Sequence, residues 1–435
     1  MDIEKYLSNF FKGTKNLSLK AMKFLMDEFK HPENKLKAIH IAGTNGKGSV
    51  TEMITNVLIN EGYTVGKFIS PHLIHYNERI SVNNNNISNI EMENLINEIN
   101  PAIEKYKSKS DVPITLFELE TTMAFLYFEQ KKCDFVVLET GLGGLYDCTN
   151  IINHPLVSII TSIGYDHMHI LGNTLPEIAY QKAGIIKPNS NTVMFESQPD
   201  IDNVFINKCE NENNNLHIIR KSDVENYYFD NNFQYFDYKN FKTIAINLKG
   251  KVQVQNACLC LETFDILNEL GYNVGIKNIQ KGLSTVIHKG RMEQLNDNPI
   301  IIYDGAHNEP AIKNLQDMVK MYYAKMKRVY IISILKRKDY NKMLKLIAQD
   351  KEAIFILTSG NNPETYASSD ELYGCMKQFT ETDKIHKKTL NNAIEEAISS
   401  NIDTVNFVIG SFYTYGTVID ILQNSFVKPN KYKDL

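Results

Sequence analysis

A glycine-rich turn between an apolar run and an amphipathic segment is the feature that most restricts the fold of this 435-residue chain. The run KAIHIA (37–42) is typical of a buried strand, and the apolar residues at 50, 53, 54, 57 and 58 recur at helical spacing. A second strand, TVGKFIS (64–70), follows, and a connection of this length predicts that the two strands are parallel. This segment therefore predicts a β-α-β unit and an α/β fold.

The turn itself has the composition of a phosphate-binding loop. The sequence G-T-N-G-K-G-S (43–49) lies between a predicted strand and a predicted helix, which is the context that such a loop requires. Its glycines let backbone N–H groups face one point, and the helix N-terminus adds partial positive charge. The stricter pattern G-x-x-x-x-G-K-[ST] is not met, and a tight turn without a ligand is the alternative. We predict that the loop binds a nucleotide triphosphate and that Lys47 acts on its β- and γ-phosphates.

Polar side chains follow three further predicted strands or close them. Ser70 closes the second strand, Glu139 closes FVVLE (135–139), and His167 comes soon after LVSIITSI (156–163). Ligands of parallel α/β sheets lie beyond the carboxyl ends of the strands, so these side chains are expected at one edge. Hydroxyl and carboxylate oxygens suit Mg²⁺, whereas a histidine is a less usual ligand. Taken singly, each residue also fits a structural role in a turn, strand end or loop.

The second half of the chain alternates strand and helix patterns more regularly than the first. Apolar runs at 299–304, 328–334, 353–358 and 405–410 are separated by helical segments, and the pattern breaks before them at HKGRMEQLNDN (288–298). Such alternation favours α/β domains with largely parallel sheets. We place a domain boundary at this break and predict two α/β domains, over residues 1–290 and 298–435.

Composition excludes several classes of protein. The 47 basic and 51 acidic residues give a net charge of −4, which provides no general attraction for nucleic acid. No run approaches the roughly 18 uncharged apolar residues of a membrane-spanning helix, and the first residues, MDIEKYLSNFFKG, do not resemble a signal peptide. The six cysteines are scattered without zinc-type spacing, which is typical of free thiols in a reducing compartment. A cytoplasmic enzyme is the expectation.

Several motifs in order along the chain resemble those of one enzyme family. They are G-T-N-G-K-G-S (43–49), S-P-H-L (70–73), N-E-R-I (77–80), E-x-G-L-G-G-x-x-D-x-T-N (139–150), D-H (166–167), K-A-G-I-I-K (182–187), D-G-A-H-N (304–308) and G-S (410–411). Together they resemble folylpolyglutamate synthase, which in bacteria is often also a dihydrofolate synthase, within the Mur ligase superfamily. The resemblance implies an N-terminal P-loop ATPase domain with a parallel sheet and a smaller C-terminal Rossmann-like α/β domain.

The resemblance also implies roles for individual residues. Lys47, His167 and Lys182 would be catalytic, and Lys182 matches a lysine that is carbamylated in this family. Magnesium would be held by Ser70, Glu139 and His167. Nucleotide contacts would come from Asn45, Gly46, Lys47, Gly48, Ser49, Asn256, Arg291, Asp304 and His307. The chain departs from many relatives at Leu145 and Cys148, which replace an arginine and an alanine. Loss of the arginine removes a possible contact to an anionic substrate, so the use of dihydropteroate as an acceptor stays open.

The implied reaction is the ATP-dependent joining of L-glutamate to a folate γ-carboxyl group through an acyl phosphate, with dihydropteroate as a second acceptor left open. ATP, Mg²⁺ and a monomeric enzyme are part of that expectation, with no membrane or nucleic-acid partner. A Mur-type ligase acting on a cell-wall precursor is the first alternative. A nucleotide-operated switch or partitioning ATPase is the second, but a switch has no need of the D-G-A-H-N loop (304–308).

Overall fold

The computed structural model describes residues 2–11, 18–360, 362 and 364–427. The chain forms two compact units, Met1–Ile287 and His288–Leu435. Both units are α/β, as the sequence predicts, and their large sheets are mostly parallel. None of the helices among the described residues is long and apolar enough to cross a membrane.

The first unit is built on an eight-stranded sheet of order β4-β3-β2-β5-β1-β6-β7-β8, with a separate three-stranded sheet of order β11-β10-β9. Its strands are β1 (Ala38–Ala42), β2 (Val65–Phe68), β3 (Ile80–Val82), β4 (Asn85–Asn86), β5 (Phe135–Glu139), β6 (Val157–Ile160), β7 (Asn191–Phe195), β8 (Asn215–Ile219), β9 (Val224–Phe229), β10 (Gln234–Tyr238) and β11 (Phe241–Ile246). Its helices are α1 (Ile3–Ser8), α2 (Lys20–Glu28), α3 (Lys47–Glu61), α4 (Asn89–Lys107), α5 (Leu116–Gln130), α6 (Met168–Leu171), α7 (Leu175–Ala183), α8 (Pro199–Asn211), α9 (Lys251–Glu269) and α10 (Ile276–Ser284).

Apolar layers cover both faces of the large sheet. Ile39 and Ile41 of β1 join a core with α3, α9 and α10, whereas Ala38 joins a second core with α2, α4 and α5. Because β1, β5 and β6 are buried on both faces, they appear in the sequence as continuous apolar runs. The predicted β-α-β unit is correct, although β1 and β2 flank β5 instead of pairing directly.

Residues 200–250 differ from the expectation of small antiparallel strands alone. This segment begins in α8, and β8 then extends the large sheet in parallel with β7. Only β9, β10 and β11 form the expected antiparallel strands. The six cysteines are free, and four of them are buried.

The second unit contains one six-stranded sheet of order β12-β13-β17-β14-β15-β16, in which only β12 is antiparallel to its neighbour. The strands are β12 (Glu293–Asp297), β13 (Ile300–Asp304), β14 (Lys327–Ile332), β15 (Ile354–Leu357), β16 (Ile385–Lys387) and β17 (Thr404–Ile409). The helices are α11 (Glu309–Tyr322), α12 (Tyr340–Ile347), α13 (Ser369–Met376), α14 (Leu390–Ile398) and α15 (Tyr415–Val427).

Candidate active site

The glycine-rich turn connects β1 to α3, as the sequence predicts. Gly46 is the residue before the helix and has φ +94°, and a Cβ atom there would lie 2.7 Å from Oδ1 of Asn256. A side chain would therefore be strained by both conformation and space. Asn256 lies on α9, and its amide nitrogen donates to Oε1 of Gln253 at 3.0 Å. The structure thus brings a distant residue from the predicted nucleotide set to the loop.

Hydrogen bonds brace the loop against the end of β6. The backbone N–H of Thr44 donates to the carbonyl oxygen of Ser162 at 2.7 Å, and the Thr161 hydroxyl donates to the carbonyl oxygen of Asn45 at 2.8 Å. The Ser162 hydroxyl also donates to that carbonyl, at 3.0 Å. The apolar pattern predicts a strand up to residue 163, whereas β6 ends at Ile160, so these hydrogen bonds were not expected from the sequence. Two hydroxyl residues at the carboxyl end of an apolar run were the available signal.

Two lysines converge on one carbonyl oxygen in the loop. Nζ of Lys47 donates to the Gly43 oxygen at 3.1 Å, and Nζ of Lys182 donates to the same oxygen at 2.7 Å. Lys182 lies in the last turn of α7 and is only 3% exposed. Burial, and then the positive charge of Lys47, lowers the pKa of Lys182 to about 7. Lys182 is therefore not a solvated surface lysine, and an uncharged amine is readily formed here.

Glu139, one of the predicted metal ligands, lies near the loop lysine. It ends β5, is 6% exposed, and its Oε1 lies 3.9 Å from Nζ of Lys47. Ser70 follows β2 and His167 follows β6, so all three residues come after parallel strands of one sheet. His167 has φ +49°, and its N–H donates to Oδ1 of Asp166 at 2.9 Å.

The donors available to a metal are a hydroxyl, a buried carboxylate and an imidazole. Among the described residues no group of three His, Cys, Asp or Glu side chains could hold a metal ion. The predicted set contains only two such side chains, Glu139 and His167, and adds the Ser70 hydroxyl. A hard cation with remaining sites for water and phosphate oxygens fits this oxygen-containing set.

A buried chain of hydrogen bonds fastens the segment after Glu139 to the middle of the sheet. Asp147 accepts from the N–H of Leu142 at 2.8 Å and from the N–H and hydroxyl of Thr149 at 3.0 and 2.5 Å. Since the Thr149 hydroxyl donates to Asp147, it accepts from Nε2 of His40 at 2.8 Å. Burial and then the charge of Lys187 lower the pKa of His40 to about 3, so the ring is neutral.

His40 appears in the sequence as one polar residue within an apolar strand, and that pattern does not indicate its role. Its partner Thr149 is 109 positions away along the chain. A buried histidine on a central strand is a signal for an internal hydrogen bond, but the pattern alone does not identify the partner.

The glycines of this segment allow it to pack directly on the helix that carries Lys182. A Cβ atom on Gly144 would lie 2.8 Å from the carbonyl oxygens of both Gln181 and Lys182. The N–H of Leu145 donates to the Gln181 oxygen at 2.7 Å. Leu145, one of the departures from the family pattern, therefore contributes its backbone to this packing.

The second unit contains the remaining predicted nucleotide residues. Asp304 ends β13 and accepts from the N–H groups of Met292 and Ala306 at 2.9 and 2.8 Å. Its burial raises the pKa of the carboxyl group, while the nearby charge of Arg291 acts in the opposite direction. Nδ1 of His307 donates to the carbonyl oxygen of Gly305 at 2.8 Å. Asp304, Arg291 and His307 thus lie together at the carboxyl end of β13, where α/β sheets bind ligands.

Family profiles match both units. The Mur ligase middle domain matches residues 41–264, and the Mur ligase glutamate ligase domain matches residues 290–412. The chain is 39% identical over 348 residues to the dihydrofolate synthase/folylpolyglutamate synthase of Bacillus subtilis (strain 168), covering 77% of this chain and 80% of that relative. It is 28% identical over 424 residues to the folylpolyglutamate synthase of Lacticaseibacillus casei, covering 95% and 96%.

Solved structures agree with these relatives. The Mycobacterium tuberculosis folylpolyglutamate synthase complexed with ADP and AMPPCP superposes with a TM-score of 0.87 at 25% identity, covering 99% of this chain and 98% of that one. A structure described as an FPGS-AMPPCP-folate complex gives a TM-score of 0.83 at 26% identity, covering 96% and 98%. With the motifs, the fold and the profile matches in agreement, this chain belongs to the folylpolyglutamate synthase/dihydrofolate synthase family of Mur ligases.

Proposed function

We propose that this protein is an ATP-dependent ligase that adds L-glutamate to the γ-carboxyl group of folate or tetrahydrofolate. The observation that carries the proposal is the pair of lysines, Lys47 and Lys182, on the Gly43 carbonyl beside the buried carboxylate of Glu139. Two relatives of this chain are named dihydrofolate synthase/folylpolyglutamate synthase and folylpolyglutamate synthase. A phosphate-binding loop alone would fit many ATPases, but the family membership narrows the chemistry to ligation.

The reaction proceeds by two substitutions. An oxygen of the folate γ-carboxylate attacks the γ-phosphorus of ATP, ADP leaves, and an acyl phosphate forms. The glutamate amine then attacks the carbonyl carbon, inorganic phosphate leaves, and the nitrogen loses its proton as the amide forms. Lys47 stabilises the negative charge on the transferring group, and the N–H groups at the start of α3 bind the phosphates. Most of the remaining catalysis is the positioning of the two reactants.

Mg²⁺ would be held by Ser70, Glu139 and His167, whose oxygens and imidazole follow parallel strands of one sheet. When bound, the metal supplies positive charge to the phosphate oxygens. The buried Glu139 carboxylate beside Lys47 supports this assignment, because a cation would offset the cost of burying a negative charge. His167 would also be a catalytic residue, because it would hold the metal beside the phosphates.

Carbamylation of Lys182 is part of the proposal. Its pKa of about 7 means that a large fraction of the amine is uncharged at neutral pH. An uncharged amine attacks the carbon of CO₂, loses a proton and becomes an anionic carbamate. That anion would be favoured beside Lys47, whose positive charge disfavours protonated Lys182.

Nucleotide binding is assigned to residues from both units. Residues 1–290 would form the ATP-binding domain, with contacts from Asn45, Gly46, Lys47, Gly48, Ser49 and Asn256. Residues 298–435 would form the glutamate-ligating domain, and Arg291, Asp304 and His307 would contribute the remaining contacts. The net charge of −4 supports small-molecule substrates over nucleic acid. We propose that the enzyme acts in the cytoplasm as a monomer.

The direct test is incubation of the full chain with ATP, Mg²⁺, L-glutamate and each acceptor separately: dihydropteroate, dihydrofolate and tetrahydrofolate. Product mass is the measurement, and we expect folate products that gain one or more glutamyl groups, with ADP release that depends on the folate. ADP release that depends on a UDP-sugar peptide would instead indicate a cell-wall ligase. Hydrolysis without a carboxylate substrate and without amide formation would favour a switch ATPase.

The dihydropteroate arm of this experiment tests the second activity. A Leu145→Arg variant restores the residue type that many relatives have in this loop. We expect the variant to use dihydropteroate better than the parent chain if the missing arginine limits that activity. Equal dihydropteroate use by both chains would show that Leu145 does not determine it.

A further inference from the structure

The ring of Phe412, in the second unit, contacts two residues that are predicted to bind the nucleotide, Arg291 and His307. The guanidinium carbon of Arg291 lies 4.3 Å from the centroid of the Phe412 ring. The His307 ring lies 5.5 Å from the same centroid at an interplanar angle of 66°. The first contact is within cation–π range, and the second is a favourable edge-to-face arrangement. Phe412 therefore connects two residues that lie 16 positions apart in the sequence.

The same ring accounts for the glycine of the D-G-A-H-N loop (304–308). A Cβ atom on Gly305 would lie 2.1 Å from Cε1 and 2.3 Å from Cδ1 of Phe412. Glycine is required here for space. The backbone of Gly305 is also held in place, because its N–H donates to the Gly290 oxygen at 2.8 Å and its own oxygen accepts from His307.

Buried tyrosines hold the residue before the ring. The hydroxyl of Tyr303 donates to the carbonyl oxygen of Ser411 at 2.5 Å, and the hydroxyls of Tyr366 and Ser411 are 3.0 Å apart. Both tyrosines are about 2% exposed or less. Because the chain is fixed immediately before Phe412, the ring is a firm support for its neighbours.

We propose that Phe412 is a positioning residue for the nucleotide site, and this inference rests on the proposed nucleotide contacts of Arg291 and His307. A cation–π contact holds the guanidinium group against the ring without itself using an N–H donor. An arginine held in this way loses less conformational freedom when the nucleotide binds. The ring thus increases nucleotide affinity without touching the nucleotide.

The test compares Phe412→Leu, which keeps an apolar side chain but removes the ring, with the conservative variant Phe412→Tyr. In the full chain we expect Phe412→Leu to raise the dissociation constant for ADP and the KM for ATP about fivefold, with a smaller change in kcat. Phe412→Tyr keeps the ring face and should retain affinity within about twofold. Tyr413→Leu, at the adjacent residue, which is 46% exposed, is the matched control and should resemble the parent chain.

A double-mutant cycle tests whether Phe412 affects ADP binding through Arg291. If Phe412 acts through Arg291, adding Phe412→Leu to Arg291→Met should weaken ADP binding by much less than fivefold further, because the guanidinium group that the ring orients is already absent. Additive losses would overturn the inference. Gly305→Ala, which displaces the ring, provides a second variant with the same expected loss should Phe412→Leu fold poorly.

Failure of the proposed function and failure of the positioning role give different binding results. If the parent chain binds no ADP, the proposed function fails. If the parent chain binds ADP and both Phe412→Leu and Gly305→Ala bind it equally well, the positioning role of Phe412 is wrong while the proposed function stands.

Discussion

The low pKa of Lys182 predicts that stability depends on pH in a way that can be isolated by one substitution. In an unfolded chain a lysine has a pKa of about 10.4, whereas burial and the charge of Lys47 lower the pKa of Lys182 to about 7. Between these two pH values the unfolded chain binds a proton that the folded protein does not. The free energy of unfolding contributed by this group therefore rises as pH increases from about 7 to about 10.4.

The magnitude follows from the two pKa values. A full proton of difference changes the free energy of unfolding by about 1.4 kcal/mol per pH unit. Because the folded-state amine is half deprotonated near pH 7, the gain between pH 7 and pH 9 is about 2 kcal/mol. Lys182→Met keeps a linear side chain and removes the titrating group, so the variant should lack this part of the pH dependence.

The assay is urea unfolding of the parent chain and Lys182→Met at pH 7, 8 and 9, in buffers freed of CO₂ so that the amine stays unmodified. Lys23→Met is the matched control, because Lys23 is exposed on α2 and its loss should leave the parent pH dependence unchanged. We expect the stability difference between the parent chain and Lys182→Met to shift by about 2 kcal/mol in favour of the parent as pH rises. Parallel curves for all three proteins would refute the assigned pKa.

Three further predictions concern the loop and its supports. Lys47→Ala should lower turnover at least about 100-fold while circular dichroism stays unchanged, and normal turnover would remove the loop from the mechanism. Gly46→Ala should weaken ATP binding, because the added Cβ atom would lie 2.7 Å from Oδ1 of Asn256. Gly62→Ala, at the other end of α3, is the control: its φ of +100° is also strained for alanine, but the added Cβ atom would have no neighbour within 4 Å, so ATP affinity should be unchanged. Calorimetry measures the ATP affinity of both variants, and equal affinities would contradict the close contact proposed between residue 46 and Asn256. Thr149→Val should lower the free energy of unfolding in urea by about 1–3 kcal/mol and Thr149→Ser by less; equal losses would mean that the hydroxyl is not the stabilising group.

Much of the fold could be predicted because local patterns specify it. The continuous apolar runs of β1, β5 and β6 and the glycine turn before α3 are visible without any partner, so the β-α-β unit and the placement of Glu139 at a strand end followed directly. The extent of β6 was overestimated because Thr161 and Ser162 continue a β-favouring pattern. In the folded protein their hydroxyls instead bond to Asn45.

The contacts that hold the site residues in place could not be predicted from the sequence. His40 appears in the sequence as a polar interruption of a strand, and its role depends on Thr149 from a distant loop. Phe412 follows the G-S motif (410–411), but nothing in that motif indicates that its ring holds Arg291 and His307. These contacts join residues that periodicity cannot relate to one another.

Through its motifs the amino-acid sequence determined the family, the glycine-rich turn before α3 and the alternation of strands and helices, because turn chemistry and hydrophobic periodicity act between near neighbours. Only the tertiary structure decided the ionisation of Lys182, because its pKa depends on burial and on Lys47, 135 positions earlier in the chain. The shared Gly43 carbonyl was likewise decided by the packing of α7 against the loop. Solvent exclusion and distances across the sheet are properties of the folded chain, and they set the chemistry of residues whose identity the motifs had already indicated.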